Sequence, residues 1–132
     1  MKNKNHILAI GWIEKADKDL EVAELLVKKK KQYLDLASFH CQQAFEKYLK
    51  GLLVFNGVLP SKTHNLEELL SQAFKYHLGL LKWVNAAKEI SPFAVIPRYP
   101  DELFDIPIPT VKKLIKQTKS LAEFIKELII LY

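Results

Sequence analysis

The chain is poor in the residues that most directly announce a chemistry. A single cysteine, Cys41, excludes an intramolecular disulfide and fits a reducing compartment. Four glycines, none of them clustered, exclude a phosphate-cradling glycine loop. The four histidines and the lone cysteine show no paired metal-ligand spacing. His40 and Cys41 are neighbours, and on a helix adjacent side chains diverge by about 100°, too far to share an ion. No apolar run approaches the roughly 20 residues of a membrane span, and no signal-type apolar segment follows the first residues. These absences predict a cytoplasmic protein with no membrane segment, no metal and no cofactor.

What remains is ordinary material for a globular fold. The 132 residues are 49% hydrophobic and 27% charged, which predicts one domain over 1–132, able to bury roughly two-thirds of its unfolded surface. Twenty Lys and Arg against 15 Asp and Glu give a net charge of +5. That surplus favours polyanionic partners only weakly. Part of it lies in the Lys28 to Lys31 run, where cations complement the dipole at the end of a helix.

Helical periodicity dominates. Ile13, Ala16, Leu20, Ala23 and Val27 step by three and four, predicting a first helix from about Ile10 to Lys31. Asp17, Asp19, Glu21 and Glu24 lie off that stripe and are expected in solvent. A second helix is expected from Leu34 to Asn56, closed by Gly57. Its apolar row is Ala37, Cys41, Ala44, Tyr48, Leu52 and Phe55, widened by Phe39, Phe45, Leu49 and Leu53. His40, Gln43, Glu46, Lys47 and Lys50 fall on the opposite side. Asn65 followed by Glu68 has the form of a capping box and opens a third helix to about His77. A fourth is expected from Leu80 to Ile90. Five of the six prolines lie between Pro92 and Pro109, which rules out a continuous helix there. Thr110 then reads as the cap of a final helix in which Val111, Ile115, Thr118, Ala122, Ile125, Ile129 and Tyr132 repeat in heptad rhythm. The fold class is all-α: an antiparallel up-and-down bundle of four to five helices.

Between the last two helices stands Pro97-Arg98-Tyr99-Pro100-Asp101. Each proline fixes its own φ and biases the preceding residue toward extended backbone, so three polar side chains are held in a restricted loop. Loops of this kind on a helical scaffold are where binding and chemistry concentrate.

Three blocks together resemble a HEPN domain, the helical nucleotide-binding family of prokaryotes and eukaryotes. They are Gln42 to Lys50 in the second helix, Lys62-Thr63-His64-Asn65-Leu66 at the start of the third, and Arg98-Tyr99-Pro100-Asp101 before the last. Ala16, Asp19, Leu20, Ala23 and Leu26 of the first helix agree. The resemblance implies a bundle that commonly forms a homodimer and often pairs with a minimal nucleotidyltransferase as a toxin–antitoxin module. In ribonuclease members an arginine is followed about one turn later by a histidine. Here no histidine follows Arg98; the last is His77.

The candidate ligand-binding residues are therefore Arg98, Tyr99, Asp101, Gln43, Glu46, Lys47, Lys50 and His64. A guanidinium such as Arg98 forks onto phosphate oxygens, and it can equally pair with Asp101 to stiffen the loop. Tyr99 reads first as a packing residue. Glu46 and Lys50 are spaced for an i,i+4 surface ion pair, while Gln43, Lys47 and Lys50 together can form a polar wall facing the Arg98 loop. His64 stands where a helix N-terminus favours anions, or where a hydrogen bond would fix the turn. A positioned acid or base is worth roughly 10² to 10⁴ in rate, so the missing histidine argues against an efficient ribonuclease. The expected function is a nucleotide- or RNA-binding module that is the partner of a nucleotidyltransferase. The alternatives are a metal-independent endoribonuclease toxin using Asp101 or a histidine from elsewhere (His40 or His64), and a structural dimerisation partner without ligand.

Overall fold

A computed structural model describes residues 3–29, 31–95 and 106–130, and among them every regular element is helical. Helix α1 spans Lys4–Val27, α2 Leu34–Phe55, α3 Leu66–Phe74, α4 Val84–Ile90 and α5 Ile108–Ile130, with 3₁₀ turns at Lys31–Tyr33, Leu78–Trp83 and Ser91–Ala94. This is the all-α bundle that the periodicity predicts.

The α1–α2 hairpin is the frame. Ala9, Ala16 and Ala23 of α1 and Ala37, Ala44 and Gly51 of α2 each repeat every seven residues, and all six are buried. Small side chains at heptad spacing let two backbones approach closely along one seam. At Gly51 the approach is tightest. A Cβ there would lie 3.0 Å from Ile13 Cδ1, 3.1 Å from Trp12 Cβ and 3.3 Å from the Ala9 carbonyl. The opposite flank of α2 carries the bulk of the core, with Phe45, Tyr48, Leu49, Leu52 and Leu53 fully enclosed. Leu66 and Leu69 of α3, Ile90 of α4, and Leu114, Leu121 and Ile125 of α5 close over it. On α5 the predicted seam residues Val111, Ile115, Thr118, Ala122, Ile125 and Ile129 are all buried.

Local chemistry sets the helix ends. The Asn3 side chain accepts from the His6 N–H, so α1 starts six residues before the apolar stripe suggests, and it stops at Val27. Lys28 and Lys29 thus follow α1 rather than forming its last turn. Gly57, at φ +78°, ends α2. Its N–H reaches the Val54 carbonyl (2.9 Å) and the Val58 N–H reaches Leu53 (2.9 Å), the paired bonds of a Schellman close. Asn65 caps α3 by accepting from the Glu67 and Glu68 N–H groups at 3.0 and 3.2 Å.

Three expectations about the elements need correction. Helix α3 ends at Phe74 rather than near His77. The stretch expected as one helix from Leu80 begins as a 3₁₀ turn at Leu78 and becomes α-helical only at Val84. Thr110 is not the cap of α5: its N–H already bonds to the Pro107 carbonyl at 3.0 Å, and Pro109 occupies the first turn, where a missing N–H does no harm.

Candidate functional site

The outer face of α2 is polar in sequence but not simply a solvated surface. Glu46, placed by periodicity on the side away from the core, is 4% exposed. Leu66 of α3 and the turn before it fold against this flank and cover it. A bare carboxylate there would be strongly destabilising, and every oxygen is answered. Oε1 faces His64 Nδ1 at 2.8 Å and accepts from Gln42 Nε2 at 3.3 Å, while Oε2 accepts from Lys50 Nζ at 3.1 Å. Gln42 also donates to the His64 carbonyl at 3.2 Å, and Gln43 donates to Gln42 Oε1 at 2.8 Å. The Lys50 ammonium sits 5.8 Å from the centre of the Trp12 ring, a cation–π contact from α1. The expected Glu46–Lys50 ion pair is present, but it is buried rather than on the surface, with side chains 5% and 11% exposed.

A second cluster joins α1 to α2. Asp19 Oδ1 lies 2.9 Å from His40 Nδ1, and Oδ2 accepts from Lys47 Nζ. The expectation that Asp19 stands free in solvent is therefore overturned, since its side chain is only 13% exposed. Asp17 is also engaged. It accepts from the Tyr48 hydroxyl and pairs with Lys126 of α5 at 2.8 Å. Burial, and then the Asp17 carboxylate, push the Tyr48 phenol above its ordinary range, so it stays protonated and acts as a donor.

Gln43, Glu46, Lys47, Lys50 and His64 thus come together on one flank of the bundle. Arg98, Tyr99 and Asp101 lie outside the described residues, as do Leu103 and Phe104. Sequence reasoning missed Asp19 and Gln42 as members. Gln42 sits four residues before Glu46, the spacing of a helical neighbour, and that signal was available. Asp19 required the register of α1 against α2, which the heptad seam of small residues carries.

Cys41 is not part of this face. It is buried against Thr118 of α5 at 3.2 Å, and burial drives its thiol up to about 12 despite the hydroxyl contact pulling the other way. Such a thiol is inert at neutral pH. Among the described residues no cluster of His, Cys, Asp and Glu could hold a metal, and no helix is long and apolar enough to cross a membrane.

The family profile for the HEPN domain matches residues 9–128. The chain belongs to the HEPN family. Two solved structures share its architecture. One is ST0689, described as an archaeal HEPN homologue, with a TM-score of 0.70 and 24% identity, covering 98% of this chain and 99% of that one; this is a likeness of fold. The other is TT1696 from Thermus thermophilus, with a TM-score of 0.70 and 25% identity over 90% of this chain and 96% of that one. Among curated proteins, "Putative toxin MJ1304" of Methanocaldococcus jannaschii is 29% identical over 100 residues, which is 70% of this chain. The match spans only 64% of that relative's length. Within the HEPN frame, the clusters around Glu46 and Asp19 are what this chain offers on the exposed flank of α2.

Proposed function

We propose that this HEPN protein is the RNA-binding member of a toxin–antitoxin-type pair, gripping RNA through the outer face of α2 together with the Arg98 loop. The observation that carries this reading is the assembly of Lys47, Lys50, Gln43 and His64 on two shielded carboxylates. Ammonium groups held in place lose less freedom on meeting a phosphate than free lysines do. Arg98 adds a fork suited to phosphate oxygens. The likeness to a toxin-named relative and the net charge of +5 both agree. In this reading the chain forms a homodimer and its partner is a minimal nucleotidyltransferase, as the family resemblance implies.

The test is fluorescence anisotropy with a labelled single-stranded RNA across a salt series. Replacing Arg98 by Ala is expected to weaken binding about tenfold, the value of one charge-assisted contact, and to lower the salt slope by about one. Equal affinity in wild type and Arg98→Ala removes the loop from the site. No RNA binding by wild type, alongside a tight complex with the nucleotidyltransferase, makes the chain a structural partner instead.

A further inference from the structure

Two imidazoles on the polar flank of α2 have Nδ1 committed to a carboxylate: His40 to Asp19 and His64 to Glu46. A carboxylate has no proton to give, so Nδ1 must carry the hydrogen and Nε2 the lone pair. The two differ in access. The His64 side chain is 67% exposed, that of His40 30%. No described residue bonds to Nε2 of His64, so its lone pair is available. Its backbone is held as well, by Gln42 on its carbonyl and by the Asn65 cap that follows. A rigidly placed imidazole with its basic nitrogen in solvent, a buried carboxylate behind it and an ammonium on that carboxylate's other oxygen make a proton-accepting site beside a cation.

We propose that His64 is the catalytic proton acceptor of a metal-independent RNA-cleaving site on α2, with Glu46 as its positioning residue and Lys50 as the nearby positive charge. The proposal rests on the reading that this face holds RNA, and it supplies a base where the chain has no histidine after Arg98. In the step, His64 Nε2 takes the proton of a ribose 2′-hydroxyl as O2′ attacks the adjacent phosphorus. The O2′–P bond forms and the P–O5′ bond breaks. The departing O5′ takes up a proton from water, and the imidazolium returns its own to solvent. The products are a 2′,3′-cyclic phosphate and a 5′-hydroxyl, with no redox change. Lys50, and the positive end of α3 just beyond His64, favour the extra negative charge that develops on phosphorus.

The experiment uses the full chain purified in a chelator, one labelled RNA, and the same oligonucleotide with a 2′-deoxy residue at the cut site. Binding and single-turnover cleavage are measured separately. Wild type is expected to cut the RNA to cyclic-phosphate ends and to bind but not cut the 2′-deoxy analogue. His64→Gln keeps an N–H donor for Glu46 and removes the base; it should bind with little change yet cleave about 10² to 10⁴ more slowly. Imidazole in the buffer should restore part of the rate to His64→Ala. Wild type that binds RNA without cutting it overturns this proposal and leaves the binding reading standing, whereas wild type that does not bind overturns both. Undiminished cleavage by His64→Gln, cutting of the 2′-deoxy analogue, or loss in His64→Ala without rescue by imidazole each assigns the chemistry elsewhere.

Discussion

The Asp19 and Glu46 clusters contain the same three groups, a carboxylate holding one imidazole and one ammonium, but they place the imidazole differently. Around Asp19 the carboxylate comes from α1, and both His40 and Lys47 come from α2, so the cluster works as a clasp across the hairpin. Around Glu46 the carboxylate and ammonium both belong to α2 and are nearly enclosed, while His64 reaches in from the turn before α3 and leaves most of its ring outside. A carboxylate–imidazole pair is therefore not a functional signature by itself. What separates the two is which group is buried: the anchor alone near α3, more of the whole set in the hairpin.

That contrast can be broken from either side. The largest effect should come from Glu46→Ala, which strands the Lys50 ammonium and the Gln42 amide in a buried pocket. Removing one partner of a buried pair typically costs about 3 to 5 kcal/mol, visible as a large drop in the urea midpoint. A loss below about 1 kcal/mol, the level of exposed pairs, would show that the cluster opens to water in solution. A smaller effect is expected for Asp19→Asn. It keeps a hydrogen-bonding side chain but removes the charge from a partly shielded clasp, at about 1 to 2 kcal/mol. RNA cleavage should persist in this variant, because His64 and its anchor are untouched. If Asp19→Asn abolishes cleavage while the protein stays folded, the clasp is the working site and the ranking of the two clusters is reversed.

Much of the frame was legible in the sequence because it rests on repeating features. The stripes of α1, α2 and α5, the Asn65 cap and the Gly57 close all follow from local spacing and local backbone chemistry. Helix ends governed by single side chains were harder to read. Asn3 extends α1 well beyond its apolar stripe, and the Pro107 carbonyl starts α5 ahead of Thr110. The candidate site was half legible. Glu46, Lys47, Lys50 and His64 were picked out by residue type and motif, yet Glu46 and Lys50 read as surface groups because periodicity in α2 does not reveal which neighbour will cover its outer flank. Covering by the turn from Thr63 to Leu66 is a tertiary event. Asp19 went unrecognised for the same reason: its partners lie 21 and 28 residues away on another helix.

The most direct test of the working face is nuclear magnetic resonance of the histidine rings while an uncleavable 2′-O-methyl RNA is titrated into the protein. His64 should show the largest shift of its ring Cε1–Hε1 signal, saturating with the binding curve, and His40 a smaller one. Saturating RNA that leaves the His64 signal in place would contradict the assignment of this flank of α2 as the surface that meets RNA.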